Sequence, residues 1–236
     1  MSQLSERYYQ VCDQVSSSPK PQGQEVSLLA VSKTRSSDEV LEVHKLGQQA
    51  FGENYIQEAV DKIQQLKDYP IEWHFIGPLQ SNKSRLAAEN FSWVHTVDRI
   101  KIAKRLSEQR PTDLPPLNVC LQVNIDLENT KSGFLPDQII EAAIEIYALP
   151  NLTLRGLMAI PKATEDKQQQ EKSFNSMATL LETMKSTLSK QCADTSSIDT
   201  LSMGMSGDME TAIQCGSTIV RIGTAIFGPR PPKPGQ

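Results

Sequence analysis

Cysteine is scarce in these 236 residues: Cys12, Cys120, Cys192 and Cys215 are the only four, and no two lie close together. That spacing excludes a zinc knuckle and a dithiol redox motif. Histidine is scarcer, with His44, His74 and His95 scattered along the chain, so no metal-ligand spacing arises and no metal is expected. Thiols without a pairing framework fit a reducing compartment, and the expected location is the cytoplasm. Long apolar runs are missing too. None approaches the roughly 18 residues that a membrane span needs, and the opening MSQLSERYYQ has no apolar core of the kind a signal peptide carries. There is no basic excess: 24 Lys and Arg against 28 Asp and Glu give a formal charge of -4. With no basic patch interleaved with aromatics, no nucleic-acid partner is expected. Neither a G-x-G-x-x-G turn after the first strand nor a P-loop occurs, which counts against an open dinucleotide- or nucleotide-binding sheet.

What is present is an ordinary globular composition, 38% apolar and 22% charged, with short apolar runs alternating with amphipathic stretches. The runs fall at residues 26–33, 50–52, 71–77, 93–98, 117–125, 152–160, 199–205 and 218–228. Each is followed by a helical pattern. Ser36-Ser37-Asp38-Glu39 offers capping residues before VLEVHKLGQQ, and Pro136 suits the first turn of PDQIIEAAIEIYAL. An extra helix is expected before the first strand, from Leu4 to about Val15. Continuous apolar strands that alternate with helices predict a parallel sheet covered on both faces. At this length the natural closure is a single (β/α)8 TIM barrel; an open doubly wound sheet is the alternative. The barrel domain is expected over residues 1–229, and PRPPKPGQ makes 230–236 a proline-rich, extended and mobile tail.

Such a barrel carries its active site at the C-terminal ends of the strands, and the unusual residues gather there. LLAVSKT, 28–34, runs a strand straight into Lys33. A strand-end ammonium has two readings: a solvated charge, or a nucleophilic amine held in a pocket. Asn54 follows the second strand, His74 sits late in the third, Asn124 ends the fifth with Lys131 in the loop beyond, and Met158 is late in the sixth. His74 and Met158 read equally as pocket wall or as core, and Lys131 as an ordinary loop lysine. After the last two strands, MSGD and RIGT supply Ser206, Arg221, Gly223 and Thr224. Loops there often bind phosphate, hydroxyls donate to an anion, and glycine lets the backbone approach it. Gly223 also reads as relief of crowding, and Thr224 as a strand residue facing a helix. A phosphate cup and a lysine on one face suggest a phosphorylated aldehyde held as a Schiff base, of which pyridoxal 5'-phosphate is the leading example.

Seven stretches then carry a resemblance: LLAVSKT (28–34), FGENYIQE (51–58), EWHFIGPLQSNK (72–83), NTKSG (129–133), RGLMAIP (155–161), LSMGMSGDMETAI (201–213) and VRIGTAIFG (220–228). In this order the sequence resembles the pyridoxal phosphate homeostasis protein family, related to the barrel domain of alanine racemase, from about Val26 to Gly228. The resemblance implies that Lys33 carries pyridoxal 5'-phosphate and that Ser206, Gly223 and Thr224 hold its phosphate. It further implies that Arg221 stands by the pyridine nitrogen and Asn54 beside the ring.

Three functions are consistent with that site. The first is a cofactor carrier or buffer, monomeric, that passes the cofactor transiently to apoenzymes. The second is a pyridoxal phosphate enzyme such as an amino-acid racemase. The third is a Schiff-base aldolase that uses Lys33 without a cofactor. Arginine stays protonated and cannot give a proton to the pyridine nitrogen, so strong carbanion chemistry is disfavoured. The related racemase takes its second base from an added β domain, and this sequence continues only eight residues past Gly228. The expectation is therefore a carrier with no catalytic residues of its own.

Overall fold

The computed structural model describes residues 2–191 and 194–229. The expected mobile tail, 230–236, and Cys192 lie outside the described residues. The apolar runs form eight parallel strands: β1 (Ser27–Val31), β2 (Ala50–Glu53), β3 (Glu72–Phe75), β4 (Trp93–Val97), β5 (Leu117–Val123), β6 (Leu152–Ala159), β7 (Thr200–Ser202) and β8 (Ile219–Ile222). Each pairs with the next and β8 returns to β1, which closes the barrel and discards the open sheet. Between them run α2 (Ser37–Lys45), α3 (Ile56–Gln65), α4 (Ser84–Asn90), α5 (Ile100–Gln109), α6 (Ile139–Tyr147), α7 (Lys167–Gln191) and α8 (Met209–Gln214), with α1 (Gln3–Ser17) before β1 and α9 (Thr224–Phe227) after β8. No described helix is long and apolar enough to cross a membrane.

Local chemistry sets the joints. Ser36 and Glu39 cap α2 reciprocally: the Ser36 Oγ accepts from the Glu39 N–H at 3.2 Å and the Glu39 carboxylate from the Ser36 N–H at 2.9 Å. Pro136 opens one turn of 3₁₀ helix that leads into α6. The expected N-terminal helix is present as α1, which buries Tyr8, Val11 and Val15 and is tied to the end of the barrel where Arg7 Nε donates to the Ile226 carbonyl at 3.0 Å.

Strand alternation divides the core into two layers. Leu29 and Val31 pack inside the barrel with Ile76, Trp93, Cys120, Met158 and Ile219, while Ala30, Phe51, Phe75 and Val220 join the larger layer between strands and helices. Several expected strand ends move inward, β3 to Phe75 and β5 to Val123 among them. β1 stops at Val31, so Lys33 lies in the following turn rather than in the strand. β7 is only Thr200–Ser202, and β8 ends at Ile222. Thr224 is therefore not a strand residue: Gly223 breaks the strand, and Thr224 begins α9.

Candidate functional site

Lys33 is half-buried in the turn after β1, at the C-terminal mouth of the barrel. Its turn is held from outside. The Arg35 N–H donates to the Ser32 carbonyl at 3.0 Å, and the Thr34 N–H to Glu58 Oε1 at 2.6 Å. Behind it the Lys62 ammonium reaches the same Ser32 carbonyl at 2.9 Å and Glu53 Oε1 at 2.5 Å. Glu53 also accepts from Ser32 Oγ at 2.6 Å and is fully buried. Burial outweighs the nearby ammonium and raises the Glu53 carboxyl above its ordinary range. A lysine in the layer outside the barrel thus fixes the backbone that presents Lys33.

Asn54 follows β2 in the same mouth, half-buried. Gly77 makes room for it. A Cβ on Gly77 would lie 2.0 Å from the Asn54 carbonyl oxygen, closer than any side chain tolerates. A cavity of about 270 Å³ opens here between Asn54, Ile76, Thr96, Gln122, Asn124, Lys131 and Ile160, among others. Asn54 Oδ1 is buried without a hydrogen-bond partner, an acceptor waiting for a donor. Lys131 is more than a solvated loop lysine: its ammonium bridges the Ile160 and Pro161 carbonyls at 3.0 and 3.1 Å and pairs with Glu128 at 2.6 Å.

Arg221 projects from β8 and is 5% exposed. Its Nη1 donates to the Ser202 carbonyl at 2.5 Å and to Ser202 Oγ at 2.9 Å, and its Nη2 to the Ala159 carbonyl at 2.9 Å. Burial pushes the guanidinium down to about 10, so it remains a cation at neutral pH. The Arg221 N–H donates to the Gly204 carbonyl at 3.0 Å, which aligns the loops after β7 and β8. Ser206 lies two residues beyond Gly204, and Thr224 three beyond Arg221; both are exposed. Gly223 sits against β1: a Cβ there would be 3.2 Å from the Val31 oxygen. Its reading as relief of crowding thus stands beside the reading as an approachable backbone.

His74 goes to the other end. It lines a cavity of about 760 Å³ with Ser27, Leu29, Glu72, Trp93, Arg155 and Asp199, at the N-terminal ends of the strands. It stacks on Trp93 at 5.2 Å, so it forms no wall of the C-terminal mouth. Met158 is fully buried in the inner core. Between the two ends runs a polar chain that the sequence reading did not anticipate: Glu72 Oε1 to His74 Nε2 at 2.7 Å, His74 Nδ1 to His95 Nε2 at 2.9 Å, and His95 Nδ1 to Ser202 Oγ at 2.8 Å. The available signal was strand parity, since Glu72 and His74 alternate with the apolar Trp73 and Phe75 along β3.

The C-terminal mouth therefore carries a lysine, an orphaned amide oxygen and a locked guanidinium, with the Thr224 hydroxyl just past β8, while Ser206 lines a separate cleft of about 580 Å³ with Gln14, Ser17 and Thr164. An amine, hydroxyls and a guanidinium are the residue types that suit pyridoxal 5'-phosphate, which offers an aldehyde, a phosphate and a ring nitrogen. Among the described residues no group of three or more His, Cys, Asp or Glu is placed to hold a metal. The family described as alanine racemase, N-terminal domain, matches residues 18–231. The pyridoxal phosphate homeostasis protein of Pasteurella multocida is 56% identical over 207 residues, 87% of either chain, and that of Escherichia coli is 49% identical over 236 residues, 98% of either chain.

The chain belongs to the pyridoxal phosphate homeostasis protein family.

Among solved structures, PipY of Synechococcus elongatus, a structure with pyridoxal phosphate bound, is 32% identical to this family member. Its TM-score is 0.82, covering 96% of this chain and 100% of PipY. An alanine racemase of Clostridium difficile has a TM-score of 0.71 at 15% identity, covering 97% of this chain and 58% of the racemase; it shares the fold alone.

Proposed function

We propose that this protein binds pyridoxal 5'-phosphate as a Schiff base on Lys33 and serves intracellular homeostasis of that cofactor as a carrier or buffer. Ser206, Thr224 and the Gly223 backbone hold the phosphate, Arg221 faces the ring nitrogen, and Asn54 lies beside the ring. The observation that carries this reading is the convergence of Lys33, the unpartnered Asn54 Oδ1 and the buried Arg221 on one end of the barrel. The bound group supplies a reactive aldehyde; the protein supplies an amine and an anion cup. Relatives named homeostasis proteins rather than enzymes support a role in handling the cofactor.

The residues also bear on catalysis. The Arg221 guanidinium already donates to three oxygens and cannot hand a proton to a pyridine nitrogen. The ring then remains a weak electron sink, which favours holding and releasing over carbanion chemistry. The protein works as a monomer that meets pyridoxal phosphate apoenzymes transiently. Free Cys12, Cys120 and Cys215 support a reducing, cytoplasmic setting.

The test begins with colour. The loaded protein should be yellow, borohydride should fix the cofactor on the peptide containing LLAVSKT, and Lys33→Ala should be folded and colourless. Full visible absorbance in that variant rejects Lys33. Loaded protein is then mixed with an apoenzyme, with and without a scavenger of free cofactor. Reactivation that survives the scavenger supports direct handover; none in either arm over hours sinks the donor role. Alanine racemization on the same preparation at ordinary enzyme rates, on the order of 1 per second or more, would overturn the carrier reading in favour of a racemase. Sedimentation of a dimer would reject the monomer.

A further inference from the structure

The inside of a barrel of this kind is ordinarily filled by branched apolar side chains. Here a line of hydrogen bonds crosses it from one mouth to the other. It starts at the carboxylate of Glu72, half-exposed in the N-terminal cavity, and passes through His74, His95 and Ser202 to the guanidinium of Arg221. His74 is 2% exposed, His95 and Ser202 not at all.

The Glu72 carboxylate, which only accepts, fixes the direction of every proton along the line, and the Arg221 end is compatible with it. Arg221 is donor only, so Ser202 Oγ accepts from it and has its own hydrogen free to donate. That hydrogen goes to His95 Nδ1 at 2.8 Å. A neutral His95 then carries its proton on Nε2 and donates to His74 Nδ1 at 2.9 Å. His74 carries its proton on Nε2 and donates to Glu72 Oε1 at 2.7 Å. Every ring nitrogen is satisfied with both imidazoles neutral. The reverse direction would bring an unprotonated His74 Nε2 against the Glu72 carboxylate, two acceptors facing each other.

The surroundings agree. Burial lowers both histidines, His95 well below its ordinary value with the charge of Arg221 adding to the effect. The hydrogen bond from His74 holds Glu72 below the usual carboxylate range. The other charges near this line are Asp208, which acts on Arg221 from the loop after β7, and Arg155 with Asp199, which satisfy each other: Arg155 Nη2 reaches the two Asp199 oxygens at 3.0 and 2.7 Å while the guanidinium covers Trp93 at 4.5 Å. Cys120, the remaining titratable group of the inner core, has its thiol pushed up to about 12 by burial and stays neutral.

We propose that Glu72, His74, His95 and Ser202 are positioning residues: a polarised hydrogen-bond relay that fixes Arg221 toward the cofactor's ring nitrogen and anchors it to an anion at the opposite mouth. The proposal rests on the site assignment above. The relay moves no proton, since arginine has none to give at neutral pH. It sets orientation and field. Bonds in such a chain polarise one another, and a broken link leaves buried groups unsatisfied.

Two measurements test it. In the cofactor-free protein, nitrogen NMR of the imidazoles at pH 7 should find His74 and His95 neutral and protonated on Nε2. Glu72→Gln, a change at the half-exposed end, should turn both into tautomer mixtures. Protonation on Nδ1 in the unaltered protein, or tautomers unmoved by Glu72→Gln, would overturn the relay. The second measurement compares pyridoxal 5'-phosphate with an analogue that has carbon in place of the ring nitrogen. The unaltered protein should prefer the nitrogen compound by about tenfold, the worth of one hydrogen bond to a charged group, and Ser202→Ala should abolish most of that preference. Equal weakening of both compounds would mean that Ser202 only supports the fold, and would overturn the relay while leaving the site assignment intact. No preference in the unaltered protein would instead overturn the placement of Arg221 at the ring nitrogen, and the relay's role with it.

Discussion

Replacing Lys62 by methionine isolates the support behind Lys33. The substitution keeps a long apolar stem in α3 but deletes the ammonium that reaches Glu53 at 2.5 Å and the Ser32 carbonyl at 2.9 Å. Glu53 is fully buried, and its Oε2 has no hydrogen-bond partner. Removing the neighbouring cation therefore leaves a desolvated carboxylate with only the Ser32 hydroxyl. Breaking one side of a buried pair costs about 3–5 kcal/mol. The sign of the pH dependence follows from Glu53. Its folded carboxyl is raised by burial above an unfolded value of about 4.3, so the folded state binds more protons across that window. Stability is fullest below the unfolded value and falls as pH rises toward the raised folded one. Without Lys62 the folded value rises further, so the deficit of Lys62→Met should be small near pH 4 and grow toward pH 8. Urea unfolding of the cofactor-free protein at several pH values measures this directly. The double variant Glu53→Met/Lys62→Met should recover most of the loss, because apolar replacement of a whole buried pair is often neutral. A loss below about 1 kcal/mol at pH 8, or one independent of pH, would refute the idea that the pair is held by mutual compensation in a dry site.

Other outcomes follow from the mouth of the barrel. Ser206→Ala and Thr224→Val should each weaken pyridoxal 5'-phosphate binding about tenfold and leave binding of unphosphorylated pyridoxal unchanged; equal affinity for the two aldehydes in the unaltered protein would move the anion site elsewhere. Gly77→Ala should destabilise the fold by several kcal/mol, on the order of 3, since its Cβ meets the Asn54 oxygen at 2.0 Å; thermal unfolding close to that of the unaltered protein would contradict the packing. Lys131→Met should loosen the loop it ties to the Ile160 and Pro161 carbonyls, read as faster amide exchange there, with the visible spectrum of the loaded protein unchanged.

The parallel sheet itself was legible in the sequence. Strands buried on both faces read as continuous apolar runs, and helices at regular spacing between them imply a parallel sheet covered on both faces; that the sheet closes is decided by the pairing of β8 with β1. The local chemistry of Ser36 and Glu39, and the small residues of MSGD and RIGT, are also visible without coordinates because they depend on neighbours in the chain. Strand ends were less legible. The run through Lys33 looks like one strand, yet β1 stops at Val31 and the chain turns, with the Arg35 N–H and the Lys62 ammonium, 30 residues away, both on the Ser32 carbonyl. His74, expected late in its segment, instead lines the cavity at the N-terminal ends of the strands. Closure of the barrel alone could bring Glu72, His74, His95 and Ser202 into line beneath Arg221. They come from four positions on three strands, and only when β3, β4 and β7 face one interior do their side chains come within hydrogen-bond distance. The one-dimensional pattern records which residues point inward; which inward residues meet across the barrel is decided by its curvature.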